Sequence, residues 1–351
     1  MNYHIALGRH QELDQMEHAA AEGKSPRHVM WSLARRLGAA VHSTKGLAGT
    51  WLDRLRSRIA GAPGHWALAR SLNRSLGPDD LVFCTGEDVG LPIAATLGGR
   101  KGGPKIVVFV HNLDRPRGRA ALKLFRSARR VDLFITNTSV QADFLRDDLG
   151  LPPSRVVLLL EQTDTRFFTP GAALPDKARP VIASVGLEQR DYRTLAEATR
   201  DLDVDVRISG VSPDARAEAR MFPESMPANM SRRFYEWPEL VQLYRDADVV
   251  AVSLFDAKYT AGVTVLLEAW ACRRPVVLTR TRGLIDYVAD DPDAVRFSMP
   301  NDAEDLRRAI VELLSDRDRA DHQAERGYRR ALQYHNSEDY VERLAEILRS
   351  A

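Results

Sequence analysis

One carboxylate stands in an otherwise apolar stretch, YTAGVTVLLEAWACRRPVV, at residues 259–277. Gly262 suits a turn, Pro275 lies just beyond the end of a predicted helix, and the residues between them are apolar except for Glu268. A helix that is apolar on all sides is normally buried, and a buried carboxylate without a partner is costly. We therefore expect Glu268 to bind either the hydroxyl groups of a sugar or a neighbouring arginine of the protein.

The start of the same helix is a candidate anion site. The first N–H groups of a helix have no partner within it, and together with the helix dipole they favour a phosphate. Here these groups belong to Val263 and Thr264, and Glu268 follows about one turn later. A phosphate at the helix start and a sugar at Glu268 would therefore lie close together.

Two residues after other predicted strands could contact the same ligand. Arg190 falls in the loop of SVGLEQRDYRTLAEA, residues 184–198, where it could bind a diphosphate; a solvated loop arginine is the alternative. His111 ends the strand of VVFVHNLDRPRGR, where a histidine could bind a substrate hydroxyl or assist a leaving group. A structural histidine with hydrogen-bonded ring nitrogens is equally compatible with that position.

Several common motifs are absent from the sequence. It contains neither G-x-G-x-x-G nor G-x-x-x-x-G-K-[ST], and no H-E-x-x-H or G-x-S-x-G. Its two cysteines, Cys84 and Cys272, are far apart, which argues against a zinc site or a disulfide scaffold and fits a reducing cytosol. We expect no metal and no cofactor.

The elements that must position these residues alternate between strand and helix. Apolar runs such as KIVVFVHN, DLFITNT, PVIASVG and DVVAVSL predict buried strands, and RTLAEATRDL and WPELVQLYRDA have helical periodicity. Such alternation predicts parallel sheets covered on both faces, with ligands beyond the carboxyl ends of the strands. Two successive series of this kind predict two doubly wound α/β domains facing each other across a cleft.

The length of 351 residues also suggests about two domains. We expect domains at 1–170 and 171–335 with a hinge at 169–180, and a C-terminal helix, 336–351, that packs back on the first domain. Residues 1–170 carry 24 Lys and Arg against 16 Asp and Glu, so the first domain is basic. No secretory signal or membrane span is evident, and we expect a cytoplasmic location.

A basic region in the first domain could meet a membrane. Residues 115–130 contain seven basic side chains and no acidic one. Upstream, WLDRLRSRIA places Trp51, Leu52, Leu55 and Ile59 on one helical face and arginines towards the other. Such a helix can lie on an anionic membrane, or its apolar stripe can pack on the core. Nucleic acid is not expected, because aromatic residues are not interleaved with these charges.

Taken together, these motifs resemble retaining glycosyltransferases of the GT-B fold, in the glycosyl transferases group 1 family. AGVTVLLEAWACRRPVV is similar to the family's donor-binding turn and helix, and DTRFFTP, residues 164–170, to its D-x-x-x-F-x-P segment. RDYRTLAEA resembles its K-G-x-x-x-L-x-x-A stretch, and His111 its strand-end histidine.

The resemblance implies two Rossmann-like domains and a metal-independent transfer of a hexose, with retention, from a nucleotide sugar such as a UDP- or GDP-sugar. It implies that Glu268 holds the ribose, that Arg190 meets the diphosphate and that His111 touches the donor sugar. The implied donor-binding residues are Gly186, Arg190, Thr260, Gly262, Val263, Thr264 and Glu268. The implied acceptor is a carbohydrate, a lipid or a small molecule, bound by the basic first domain, which could be peripheral on the inner face of a membrane.

The sequence departs from the family pattern at three positions. Thr260 replaces a glutamate that contacts the donor sugar, Arg190-Asp191 replaces a Lys-Gly pair, and Leu187 replaces an arginine after Gly186. Two other functions therefore stay open: a nucleotide-sugar-binding protein without turnover, and a sugar-nucleotide epimerase of the same fold.

Overall fold

The computed structural model describes residues 1–175, 177–211 and 218–351. These form two compact units, which the chain enters more than once. The first unit consists of Met1–Glu17, His28–Leu160 and Val341–Ala351, and the second of His18–Arg27 and Glu161–Tyr340.

The first unit is built on a six-stranded parallel sheet with the strand order β2-β1-β3-β4-β5-β6. The strands are Asn2–Ala6 (β1), Ala40–His42 (β2), Asp80–Cys84 (β3), Lys105–Val110 (β4), Leu133–Thr136 (β5) and Val156–Leu158 (β6). The helices are Leu13–Ala21 (α1), Val29–Leu37 (α2), Trp51–Arg56 (α3), Pro63–Ser75 (α4), Glu87–Leu97 (α5), Pro116–Phe125 (α6) and Ser139–Asp143 (α7).

The second unit repeats this plan with the strand order β12-β11-β10-β7-β8-β9, again all parallel. The strands are Val181–Val185 (β7), Asp205–Ser209 (β8), Met230–Arg232 (β9), Val249–Val252 (β10), Val276–Thr279 (β11) and Arg296–Ser298 (β12). The helices are Tyr192–Thr199 (α8), Trp237–Asp246 (α9), Val263–Ala271 (α10), Ala303–Ser315 (α11) and Arg317–Tyr334 (α12), followed by Ser337–Ser350 (α13).

Three strands near the middle of the sheets, β4, β7 and β10, are buried over almost their whole length, which explains their continuous apolar runs. Every residue of β10 and β7 is buried, as is every residue of β4 after Lys105. Both units are therefore doubly wound α/β folds, which confirms the predicted fold class. None of the helices in the described residues combines the length and the apolar character that crossing a membrane would require.

The boundaries between the two units differ from those expected from the sequence. The second unit begins at Glu161, before the predicted boundary at 170, because Thr163 donates its N–H to the His335 carbonyl at 2.8 Å. The Asp164 carboxylate also accepts the Arg27 N–H at 2.8 Å, which attaches residues 18–27 to this unit. Helix α13 belongs to the first unit from Val341 onwards, not from 336.

Candidate functional site

The site residues predicted for the second unit come together at the carboxyl ends of β7 and β10. The chain leaves β7 towards β8 on one side and returns to β10 on the other, so this pair of strands is the switch point at which open α/β sheets bind ligands. The loops after the two strands are joined, since the Asp191 N–H donates to the Ser253 carbonyl at 3.0 Å. The Phe255 N–H likewise donates to the Gln189 carbonyl at 2.9 Å.

Helix α10 begins at this switch point, directly after Gly262. The φ angle of Gly262 is 91°, and a Cβ atom there would lie 2.8 Å from a methyl group of Val252, so the turn requires glycine. The Val263 N–H donates to the Thr260 carbonyl at 3.1 Å. The expectation that this N–H is available to a phosphate was therefore wrong, because the turn itself uses it.

Thr264 provides the first available donor of α10 instead. Its side chain is exposed, and its N–H makes no hydrogen bond within the part of the chain that the structure describes. The helix dipole adds partial positive charge at the same end. An anion that approaches the helix start would therefore meet the Thr264 N–H.

Glu268 is only 5% exposed and is hydrogen-bonded to a tyrosine. Tyr244 of α9 donates its hydroxyl to Oε2 at 2.6 Å, whereas Oε1 accepts no hydrogen bond from any described residue. Burial raises the pKa of Glu268 to about 7, although the Tyr244 hydrogen bond and the charge of Arg190 act in the opposite direction. One carboxylate oxygen is thus held by the protein and the other is open to a ligand.

Arg190 is buried rather than solvated, with 4% of its surface exposed. Its Nε donates to the Val185 carbonyl at 2.7 Å and its Nη1 to the Glu188 carbonyl at 2.9 Å, so the guanidinium group fixes the loop after β7. Nη2 makes no hydrogen bond within the described residues. It lies against Gly186, where a Cβ atom would approach it to 2.7 Å.

The loop before α10 is held by contacts that the sequence did not indicate. Tyr259 donates its hydroxyl to the Glu188 carboxylate at 2.9 Å, which joins this loop to the one after β7. Gly283 packs so closely on it that a Cβ atom would lie 1.9 Å from the Tyr259 carbonyl oxygen. Thr260 follows directly and is 8% exposed.

His111 lies in the first unit, directly after β4. Its N–H donates to the Glu87 carboxylate at 3.0 Å, and its ring packs on Phe109 with 4.8 Å between the ring centroids. Nε2 lies 3.4 Å from the Thr85 carbonyl oxygen. These contacts position the imidazole at the carboxyl end of the strand, and its role towards a donor sugar stays a prediction.

The other groups considered for chemistry are not arranged for it. Cys84 and Cys272 are buried, and burial raises the pKa of the Cys272 thiol to about 12. In the described ranges, no three His, Cys, Asp or Glu side chains are grouped so that they could hold a metal ion.

Comparison with known proteins identifies the family. Residues 180–316 match the family model described as glycosyl transferases group 1, and residues 25–161 match the one described as glycosyltransferase family 4. The chain belongs to the group 1 glycosyltransferases. The matched ranges cover most of the two sheets of this glycosyltransferase, and the group 1 match contains the entire switch point with α10.

The curated relatives of this glycosyltransferase are distant and longer. The D-inositol 3-phosphate glycosyltransferase of Corynebacterium aurimucosum is 29% identical over 211 residues, which cover 53% of this chain and 49% of the relative. The D-inositol 3-phosphate glycosyltransferase of Stackebrandtia nassauensis is 26% identical to this chain, and the match covers 46% of its length. The chain thus spans about half the length of these relatives.

Solved structures show the same fold over the whole chain. The sucrose-phosphate synthase of Thermosynechococcus elongatus superposes with a TM-score of 0.74 at 15% identity and covers 100% of this chain and 99% of its own. Anabaena HepE in complex with UDP-glucose covers 100% of both chains with a TM-score of 0.68 at 14% identity. The two-domain GT-B architecture implied by the sequence resemblance is confirmed.

Proposed function

We propose that this glycosyltransferase moves a hexose from a nucleoside diphosphate sugar to an acceptor hydroxyl, with retention of the anomeric configuration and without a metal ion. The observation that supports this most strongly is a pair of open groups on one helix at the switch point. The Thr264 N–H would bind the pyrophosphate, and Glu268 Oε1 would accept hydrogen bonds from the ribose hydroxyls. Gly262 permits the close approach of the pyrophosphate to the backbone.

The donor is proposed to be a UDP- or GDP-sugar. The structure of Anabaena HepE, which has the same fold, was determined with UDP-glucose, and this supports a nucleotide sugar as the ligand class. The acceptor is proposed to be a carbohydrate, a lipid or a small molecule with a free hydroxyl group. The Corynebacterium relative is named for D-inositol 3-phosphate, a small molecule with free hydroxyl groups, which is compatible with this class.

The transfer requires that the negative charge of the leaving diphosphate is stabilised. The bond between the anomeric carbon and the β-phosphate oxygen breaks, the acceptor oxygen bonds to the same face of that carbon, and the acceptor proton passes to the leaving phosphate. The Thr264 N–H and Arg190 Nη2 are fixed donors that can stabilise the developing charge without reorganisation. In this scheme the rate does not change when EDTA is added.

The role of Glu268 is tested by titration of the Glu268→Gln variant with UDP, GDP, ADP and dTDP and their sugars. We expect the affinity for the natural nucleotide to fall about tenfold to a hundredfold, since hydrogen bonds to a charged group contribute about 1.5–3 kcal/mol. Glu197→Gln, an exposed substitution on α8, is the matched control. If Glu268→Gln binds every nucleotide as well as the wild type does, the assignment of Glu268 is refuted.

The role of Arg190 is tested by the transfer rate of the Arg190→Ala variant. We expect kcat to fall about tenfold to a hundredfold, because one charge-assisted contact to the leaving group is lost. Arg190 also holds the loop after β7, so the melting temperature and the nucleotide affinity are measured in parallel. A variant that remains folded and turns over at nearly the wild-type rate would contradict the proposed role.

A second candidate function is binding of a nucleotide sugar without transfer. The observation that favours it is Thr260, which occupies the position of a family glutamate implied to contact the donor sugar. Retention of the donor with neither transfer nor hydrolysis, in the presence of a broad set of acceptors, would support this function over the enzyme. Release of an epimerised sugar without an acceptor would instead identify an epimerase.

A further inference from the structure

A small exposed surface of the first unit combines apolar and cationic side chains. We call it the α3 patch; its residues are Trp51, Leu52, Arg54, Leu55 and Arg58. Trp51 is 75% exposed, Leu55 50% and Leu52 36%, and both arginines are exposed. The sequence left two possibilities for this apolar stripe, and the one in which it packs on the core is wrong for Trp51 and Leu55.

The α3 patch is held in a fixed position. The Thr50 N–H donates to the Asp53 carboxylate at 2.7 Å in a capping box, and the buried Asp53 also pairs with Arg70. After the helix, Arg117 of α6 donates from Nη2 to the Ser57 carbonyl at 2.6 Å. Because both ends of α3 are anchored in this way, the exposure of Trp51 and Leu55 is a fixed feature of the surface.

The charges of the patch are not neutralised by the protein. Neither Arg54 nor Arg58 forms an ion pair with any described residue, whereas many other arginines, such as Arg36 with Glu342, do. Helix α6, whose Arg117 is hydrogen-bonded to the segment after α3, is also basic. Its end and the following turn carry three more exposed cations without an ion pair to a described residue: Lys123, Arg126 and Arg129.

We propose that the α3 patch docks this unit on an anionic lipid bilayer. Single exposed apolar residues are common and need no partner, but Trp51 and two leucines within about one helical turn, flanked by unpaired arginines, match the requirements of an anionic membrane interface. A second copy of the chain would bring like charges together. Nucleic acid would satisfy the arginines but would leave the apolar residues in water. The inference does not depend on the transfer reaction.

The test is co-sedimentation of the full chain with vesicles at low ionic strength. We expect binding to vesicles of equal parts phosphatidylcholine and phosphatidylglycerol, little binding to pure phosphatidylcholine, and a loss of binding as salt is added. Arg54→Gln/Arg58→Gln should weaken binding roughly 25-fold, since each cation near an anionic surface contributes about fivefold. Trp51→Ser should remove the quenching of tryptophan fluorescence by brominated lipids.

Matched controls lie on the second unit. Arg193→Gln/Arg200→Gln removes the same charge from exposed positions of α8 and around its end, and Leu332→Ser truncates another exposed apolar side chain. Both controls should bind vesicles like the wild type. Equal binding to neutral and anionic vesicles, or a loss as large in the controls as in the patch variants, would overturn the proposal. Binding to duplex DNA but not to vesicles, or dimerisation that Trp51→Ser abolishes, would also overturn it.

Discussion

Burial raises the pKa of Glu268 to about 7, so the neutral form of this side chain is favoured more than in an exposed glutamate. The residue is therefore poised between a neutral group, which is cheap to bury, and a carboxylate, which accepts hydrogen bonds from a ligand. Tyr244 stabilises the charged form through its hydroxyl. At the scale of single residues, this pair shows how the fold can keep a ligand-binding acid inside an apolar helix.

The stability of the protein should depend on this titration. The pKa of Glu268 rises on folding from 4.5 to about 7, so the folded state binds more protons in this interval and the free energy of unfolding falls as pH rises through it. Glutamine does not titrate. We therefore expect the free energy of unfolding of Glu268→Gln, taken relative to that of the wild type, to increase by roughly 3 kcal/mol from pH 4.5 to pH 8.

Thermal unfolding of both proteins at pH 4.5 and pH 8 provides this measurement. Glu197→Gln is again the control, since an exposed glutamate should change stability by the same small amount at both pH values. If the difference in stability between Glu268→Gln and the wild type is the same at both pH values, the raised pKa of Glu268 is contradicted.

Some of these residues could be found from the sequence and others could not. Gly262 and Glu268 were visible because a turn glycine and a lone acid are unusual next to an apolar helix. Tyr244 was not visible, since a tyrosine on an amphipathic helix looks like a core residue and only the fold brings it to Glu268. The burial of Arg190 was hidden for a related reason, because arginines are mostly exposed.

At the scale of elements, the strands that the sequence missed differ physically from those that it predicted. Strands β2, β9 and β12 are edge strands of three residues each, and their polar side chains are compatible with a single neighbour in the sheet. Strand β1 is central but contains His4, which contacts Asp80. Strands β4, β7 and β10, by contrast, have continuous apolar runs, as expected where both faces of a sheet are covered.

An ion pair holds the segment 18–27 to the second unit. The Asp164 carboxylate accepts the Arg27 N–H at 2.8 Å and its Nε at 3.0 Å, and Arg27 Nη1 donates to Glu338 at 2.7 Å. Burial acts to raise the pKa of Asp164, but the hydrogen bonds and the charge of Arg27 outweigh it and lower the pKa. The stabilisation is therefore present above the ordinary pKa of 3.8 and is lost as pH falls through the lowered pKa.

We expect Asp164→Asn to lower the free energy of unfolding by about 3–5 kcal/mol at pH 7, because it leaves a partly buried arginine without its main partner. Thermal or urea unfolding measures the loss. Asp203→Asn, at an 88% exposed side chain that pairs with Arg179 at 3.7 Å, should change stability by less than about 1 kcal/mol. Similar small losses for both variants would show that the segment 18–27 is held by other contacts.

At the scale of the whole molecule, neither unit is a continuous piece of chain. The first unit is completed by Val341–Ala351, in which Leu344 and Leu348 are completely buried. The sequence predicted such a helix, at residues 336–351, packed back on the first domain. It could not predict where the helix changes units, because that depends on contacts of Thr163 and Asp164 with residues far away in the sequence.

Removal of residues 341–351 should therefore destabilise the first unit. Loss of Val341, Leu344 and Leu348 from a buried environment should cost on the order of 5 kcal/mol, at about 1.5–3 kcal/mol for each side chain. Removal of residues 349–351 alone, which are not buried, is the control. In calorimetry, the first unfolding transition should occur at a lower temperature only for the longer deletion. Equal melting temperatures of the two shortened chains would contradict this account.

The close packing of Gly283 on Tyr259 offers a means of separating the two activities proposed for this protein. A methyl group at position 283 would push aside the loop that carries Thr260, yet it would alter no side chain proposed to meet the nucleotide and nothing in the first unit. We expect Gly283→Ala to weaken binding of the proposed donor and to leave vesicle binding unchanged, so that the proposed lipid attachment could be studied separately from the proposed sugar transfer.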